Sequence, residues 1–158
     1  MPSIMHQLVL RRIEELLAGE DDWISAMATV VSELHNTFNH FHWTGFYRTV
    51  RPNHLKVGPY QGEHGCIEIP FDKGICGAAA RTAKTQNVPD VHSRLDHIAC
   101  SSRTNSEVVV PVISKSGKVF AVLDVDSYIP SAFSEDDIAM LESICSLLGN
   151  KFGESEFF

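Results

Sequence analysis

An α+β domain, with helices packed on a central antiparallel sheet of about six strands, is what this sequence predicts, and three observations carry it. Apolar residues recur at helical spacing up to Phe38. From Trp43 the pattern shortens to brief runs of strand-forming residues, separated by turns rich in Gly, Pro and Asn. After Ser134 the helical spacing returns.

Taken in order, Ile4, Leu8, Val9, Ile13, Leu16 and Leu17 predict an amphipathic helix that stops at Gly19. Asp21 or Asp22 caps a second helix, with Trp23, Ile24, Met27, Val30, Val31, Leu34 and Phe38 on its apolar face. Trp43 to Val50, Leu55 to Gln61 and Cys66 to Ile69 read as strands, the first two joined by the turn Arg51-Pro52-Asn53. Gly74 to Ala83 predicts a short helix rich in small residues, with Asp72 as its N-cap. Asn87 to Asp90 is a brief extended piece. The loop that follows, from Val91 to about Asn105, is longer than a compact domain keeps without a use for it. Val108 to Ser114 and Val119 to Asp126 are strands joined by Lys115-Ser116-Gly117. Ser134-Glu135-Asp136-Asp137 starts the closing helix with a hydroxyl cap and first-turn acids. Its buried face is Ile138, Leu141, Ile144, Cys145, Leu148 and Phe152. With no internal repeat and no linker, residues 1–158 read as one domain: helices over 1–38, then sheet, loops and closing helix over 39–158.

Composition narrows the function classes. A chain of 158 residues is sized for a single core, and a 44% hydrophobic content makes it globular. A net charge of −7 without a basic cluster argues against nucleic acid and anionic membranes as partners. No stretch has the length of a membrane span. Met1 to Glu20 carries Glu14 and Glu15 and lacks the apolar core of a secretory signal. The expectation is a cytoplasmic protein, whose thiols stay reduced and whose cysteines are core, metal-binding or catalytic.

Three of the four cysteines stand in distinctive local words: His64-Gly65-Cys66, Lys73-Gly74-Ile75-Cys76-Gly77 and His97-Ile98-Ala99-Cys100. Cys145 falls on the apolar stripe of the last helix and reads as a small buried hydrophobe. Cys76 lies in the first turn of a helix, where unpaired N–H groups and the dipole favour thiolate, although its small neighbours fit close packing equally well. Cys66 opens a strand, and Cys100 sits in the long loop, ahead of Ser101, Ser102 and Arg103. Structural zinc takes ligand pairs two to four residues apart. The gaps here are ten and twenty-four, and although His64, His92 and His97 could add ligands, nothing in the spacing requires them, so no metal is expected.

Leu123-Asp124-Val125-Asp126 closes an apolar strand. Alternation puts Asp124 and Asp126 on one face with Phe120 and Val122, and Val119, Ala121, Leu123 and Val125 on the other. Two neighbouring carboxylates on a half-buried face repel, which suits binding a cation or holding a proton. A turn ligand at a strand end is the plainer alternative. Glu107 is a third acid entering a buried strand. Trp43 and Tyr47 share a face with Gly45 between them, leaving a shallow gap that fits either core packing or the wall of a small apolar site.

Together with Gly58-Pro59-Tyr60-Gln61-Gly62, Ile69-Pro70-Phe71-Asp72-Lys73-Gly74-Ile75-Cys76-Gly77, Val88-Pro89-Asp90-Val91-His92 and Ser106-Glu107-Val108-Val109-Val110-Pro111, these words resemble the free methionine-(R)-sulfoxide reductases, which are stand-alone GAF domains. The resemblance runs from about Trp43 to Leu148, and the region before about Asn39 matches only loosely. It implies a GAF fold and a reaction in which a thiolate attacks the sulfur of free methionine sulfoxide. Methionine and a sulfenic acid result, a second cysteine forms a disulfide, and thioredoxin reduces it. It implies Cys100 as nucleophile, Cys66 as resolving partner and Cys76 assisting, whereas the helix-terminus argument favours Cys76 as nucleophile. It implies Glu107, Asp124 and Asp126 for the substrate's ammonium group and the proton that the sulfoxide oxygen needs, and Trp43 and Tyr47 beside its methyl end. No cofactor is implied, and a homodimer stays open. The competing reading is a non-catalytic GAF sensor of a small ligand.

Overall fold

The computed structural model describes residues 3–98 and 100–153. Ala99, within the His97–Cys100 word, lies outside the described residues. Helices α1 (Ile4–Leu17) and α2 (Trp23–Thr37) lead into β1 (Trp43–Arg51), β2 (His54–Gln61) and β3 (Glu68–Pro70). Then come α3 (Gly74–Thr82), β4 (Gln86–Val88), a 3-10 turn at Val91–Ser93, β5 (Ser106–Ile113), β6 (Val119–Ser127) and α4 (Glu135–Phe152). The six strands form one sheet in the order β3-β2-β1-β6-β5-β4, every neighbour antiparallel. The α+β fold with helices on both sheet faces is the one the sequence predicts.

The helix starts follow local chemistry. Asp22 accepts from the Ser25 amide at 3.0 Å, which decides between the two candidate caps. Ser134 and Asp137 form a reciprocal capping box at α4. At α3 the expected Asp72 cap is not used. Lys73 occupies the N-cap without a side-chain bond, because Gly74, at φ +70°, turns the chain into the helix one residue later.

Packing sorts the helices by face. α1, α2 and α4 bury Val9, Ile13, Met27, Val30, Leu34, Leu141, Ile144 and Leu148 against Phe46, Val108, Val110, Leu123 and Val125 of the sheet. The smaller α3 covers the opposite face through Ile75, Cys76, Ala79 and Ala80, against Tyr47, Val109 and Val122. On α1 only the Val9–Ile13–Leu17 stripe is buried. Ile4, on the opposite side of the turn, is 75% exposed, and Leu8 and Leu16 also face outward, as does Ile24 at the start of α2.

Strand ends differ from the sequence expectation by a residue or two, and two departures change where a side chain stands. β3 begins at Glu68, so Cys66 stands in the preceding loop rather than opening a strand. In β6, Phe120 is an extra residue between Val119 and Ala121, which pair with Ile113 and Val112. This bulge reverses the parity before it. Phe120 joins the helix-covered core, and Val119 packs on the α3 face, the reverse of strict alternation.

Candidate functional site

Three central strands lay the floor of a cleft on the α3 face. Trp43 of β1 stands opposite Asp126 of β6, which in turn faces Glu107 of β5. One pleat along, Gly45 stands opposite Asp124, which faces Val109. Side chains directly opposite on one sheet face approach to about 5 Å, so register alone gathers the three acids and the indole. Apart from the resemblance, Glu107 was legible only as an acid entering a buried strand. Pairing of β5 with β6 brings it to the two aspartates.

Gly45 does not leave the gap the sequence suggested. The Trp43 ring lies over it, and a Cβ at Gly45 would meet the Trp43 ring at 2.6 Å and Tyr60 Cβ at 2.4 Å. Trp43 stacks on both Tyr47 and Tyr60, with centroids 5.8 and 5.2 Å apart. Its Nε1–H donates to the Glu63 carbonyl at 2.7 Å, holding the loop that carries Cys66. The missing side chain at Gly45 is thus filled by a flat indole that walls the cleft.

The opposite wall is α3 and the Val91–Asn105 loop. Val91 N–H donates to the Asn105 carbonyl at 3.0 Å, and Asn105 Nδ2 donates to the Tyr128 carbonyl at 2.7 Å, so the loop is closed at its base. Ile98 rests on Gly74, where a Cβ would come within 3.0 Å of it. The loop presents Cys100, which is disulfide-bonded to Cys66, with Cα atoms 5.4 Å apart. Arg103 Nη1 donates to Glu63 Oε1 at 3.0 Å, and its guanidinium lies 4.2 Å over the Tyr128 ring, linking the same two loops. The resulting cleft is lined by Trp43, Tyr47, Cys76, His97, Cys100, Thr104, Glu107, Asp124, Asp126 and Tyr128.

Cys76 is buried on the α3 wall, against the cleft floor. Its sulfur and one carboxylate oxygen each of Glu107 and Asp124 all lie within 4.8 Å of one another. Burial, then the charges of Asp124 and Glu107, push the Cys76 thiol well above its ordinary range. This corrects the expectation that the helix terminus lowers it. A helix end offers about 1 kcal/mol, while full burial beside carboxylates is worth several pKa units the other way. The helix-terminus argument for Cys76 as the reactive thiolate therefore loses its physical basis.

The acids respond to the same environment. Burial raises Glu107, Asp124 and Asp126 well above the carboxylate range, and their mutual repulsion adds to it. Asp124 Oδ1 and Asp126 Oδ1 are buried without a hydrogen-bond partner among the described residues. An orphaned buried carboxylate oxygen is costly unless something cationic or protonated meets it. His97 Nε2 lies 3.9 Å from Glu107 Oε1, and burial lowers the pKa of its imidazole.

All eight residues singled out in the sequence line this one cleft or its disulfide. Tyr60, Thr104, Tyr128 and the Glu63–Arg103 pair escaped sequence reading. Tyr60 had a signal, since the Gly58–Gly62 word falls opposite Gly45. Thr104 and Tyr128 had none, being brought in by loop closure.

Comparison with known proteins places this geometry. Residues 7–152 match the family described as GAF domain. The chain is 38% identical to the free methionine-R-sulfoxide reductase of Saccharomyces cerevisiae, over 92% of this chain and 84% of that protein. It is 31% identical to the enzyme of the same name from Escherichia coli, over 93% and 88%. The X-ray structure of free methionine-R-sulfoxide reductase from Neisseria meningitidis in complex with its substrate superposes with a TM-score of 0.88 at 39% identity, covering 94% of this chain and 88% of that one.

Proposed function

This chain belongs to the GAF-domain family, in the group of the free methionine-R-sulfoxide reductases, and from that premise we propose that it reduces free methionine-(R)-sulfoxide to methionine. The observation that carries the reading is the meeting of an accessible cysteine pair with orphaned buried carboxylate oxygens in one cleft.

Cys100 attacks as thiolate. It is the exposed member of the pair, while Cys76 is held protonated by its surroundings. The Cys100 sulfur bonds to the sulfoxide sulfur as the sulfoxide oxygen takes a proton. Transfer of that hydroxyl to Cys100 releases methionine and leaves a sulfenic acid. The Cys66 thiolate then attacks the sulfenic sulfur, forming the disulfide and expelling hydroxide, which leaves as water. A dithiol reductant, thioredoxin by resemblance, exchanges with the disulfide and restores both thiols. Two electrons enter from the reductant and leave in the methionine sulfur. No cofactor takes part.

The acids divide two tasks. The orphaned oxygens of Asp124 and Asp126 suit the substrate's ammonium group, whose charge compensates their burial. Glu107, whose carboxyl burial raises well above the ordinary carboxylate range, is the acid suited to give a proton to the sulfoxide oxygen. Cys76 assists by lending a thiol proton to Asp124, its neighbour on the cleft floor. Trp43 and Tyr47 flank the methyl end. Peptide-bound methionine sulfoxide lacks the free ammonium group and is excluded on this reading.

The test is NADPH consumption in a thioredoxin-coupled assay with the R- and S-epimers of free methionine sulfoxide supplied separately. Turnover of the R-epimer alone is expected. Binding of methionine sulfoxide without turnover of either epimer would replace this reading with the ligand-sensing one.

A further inference from the structure

Within the same cleft, one grouping of donors has a second use. Cys76, Glu107 and Asp124 converge from α3, β5 and β6, each offering one ligand atom within 4.8 Å of the others, and all three are buried. We propose that in the reduced, substrate-free protein this trio binds a thiophilic divalent cation, zinc(II) being the type, which shuts the cleft against substrate. The competition with substrate rests on the function proposed above; the binding itself does not.

The chemistry of the donors selects the metal. One thiolate and two carboxylates from protein, with a fourth position left open, is a zinc-like set, and the sulfur disfavours magnesium and calcium. The cysteine spacing held no zinc pair; the two carboxylates supply what it lacked. A second, independent observation points to a cation: Asp124 Oδ1 is buried without a partner among the described residues, and so is Asp126 Oδ1 beside it. A dication answers the same crowding of buried negative charge that the substrate's ammonium group is proposed to answer. The Cys66–Cys100 bridge is not a donor, and the proposal does not need it.

Cobalt(II) serves as the probe, because a thiolate on cobalt gives a near-ultraviolet charge-transfer band and a tetrahedral site gives visible bands. The full chain is titrated in reducing buffer, as wild type and as Cys66→Ser/Cys100→Ser, Cys76→Ser and Asp124→Asn variants. About one equivalent is expected to bind wild type and the double variant alike, with the thiolate band present in both. The band is expected to vanish in Cys76→Ser, and affinity to fall at least about tenfold in Asp124→Asn, which guards against a folding defect in Cys76→Ser. Free methionine-(R)-sulfoxide is expected to displace the metal, and zinc to raise KM without changing kcat. Absence of a thiolate band in wild type overturns the site. So does its loss in the double variant with survival in Cys76→Ser, which would assign it to the loop thiols. Metal undisturbed by substrate overturns the competition. Absence of turnover in metal-free buffer, with the band intact, overturns the reductase reading and leaves the metal site standing.

Discussion

Trp43 and Glu63 are joined by a 2.7 Å hydrogen bond from the indole Nε1–H to the main-chain carbonyl. Through it, the first strand of the sheet holds the loop that carries Cys66, while Arg103 reaches from the Cys100 loop to the Glu63 carboxylate. The indole wall of the cleft and the Cys66 loop therefore share one support. Trp43→Phe keeps an aromatic wall and removes the donor. It is expected to cost about 1 kcal/mol of stability. It should also slow disulfide formation after the first turnover more than it slows that turnover, as read by rapid quench with methionine and free thiol both counted.

The cysteines are expected to separate cleanly. Cys100→Ser should lower turnover at least about a thousandfold. Cys66→Ser should give a burst of about one methionine per enzyme and then stall with thioredoxin as reductant, since the sulfenic acid has lost its partner. Cys145 is buried in the α4 core with its thiol 3.9 Å from the Val110 carbonyl. Cys145→Ser is expected to change stability by about 1 kcal/mol or less, because the hydroxyl can use the same acceptor. Its kcat should match wild type.

Gly45→Ala tests the close approach of Trp43. The new methyl would overlap both the Trp43 ring and Tyr60 Cβ, so the indole must tilt out of its stack. A loss of about 1–3 kcal/mol in stability is expected. A larger fall in kcat/KM than in kcat should accompany it, since binding surface is what moves. Unchanged tryptophan fluorescence and unchanged KM would show that the stack is not the substrate wall.

The acid cluster has a definite pH signature. Burial raises Glu107 and Asp124 in the folded state above their unfolded values. Their stabilising contribution is therefore full below the ordinary carboxylate range, near pH 4, and is lost as pH rises through the elevated folded values. Glu107→Gln cannot ionise and escapes that loss. The Tm of Glu107→Gln minus that of reduced wild type is expected to grow from pH 5 to pH 8, while turnover falls. A difference flat in pH would mean that Glu107 does not titrate differently on folding.

Asp137 behaves in the opposite sense. It accepts from His6 Nε2 at 2.7 Å and His40 Nε2 at 2.8 Å, and despite the cost of burial these bonds and the Ser134 amide pull it down to about 2. Its contribution is present above the ordinary aspartate value and is lost as pH falls toward 2. Asp137→Ala removes the acceptor shared by α1, the segment before β1 and the α4 capping box. A loss of about 2–4 kcal/mol near neutral pH is expected, shrinking in acid, by thermal melts across pH.

Much of this molecule can be read residue by residue. The α4 start at Ser134, an aspartate cap ahead of α2, the antiparallel pair joined by Lys115-Ser116-Gly117 and the shared face of Asp124 and Asp126 all follow from rules that act over a few residues. The words around Cys66, Cys76 and Cys100 stand out for the same reason, and the three meet at one cleft. Where the reading failed, a distant partner had intervened. The bulge at Phe120 swapped two side chains across the sheet, and α1 kept only one of its apolar stripes inside.

The sequence by itself determined the order and kind of the elements, because caps, turns and periodicity are local. It also singled out the thiols and carboxylates that line the cleft, because such groups in glycine-rich or strand-end contexts stand out without a fold. Only the tertiary structure decided what those groups are. Cys76 is a buried thiol held protonated, because packing α3 onto the sheet removed water and brought Asp124 and Glu107 against it. Cys66 and Cys100 are partners, because two loops thirty-four residues apart close over one cleft. Ionisation and pairing depend on dielectric and distance, and neither exists along the chain until it has folded.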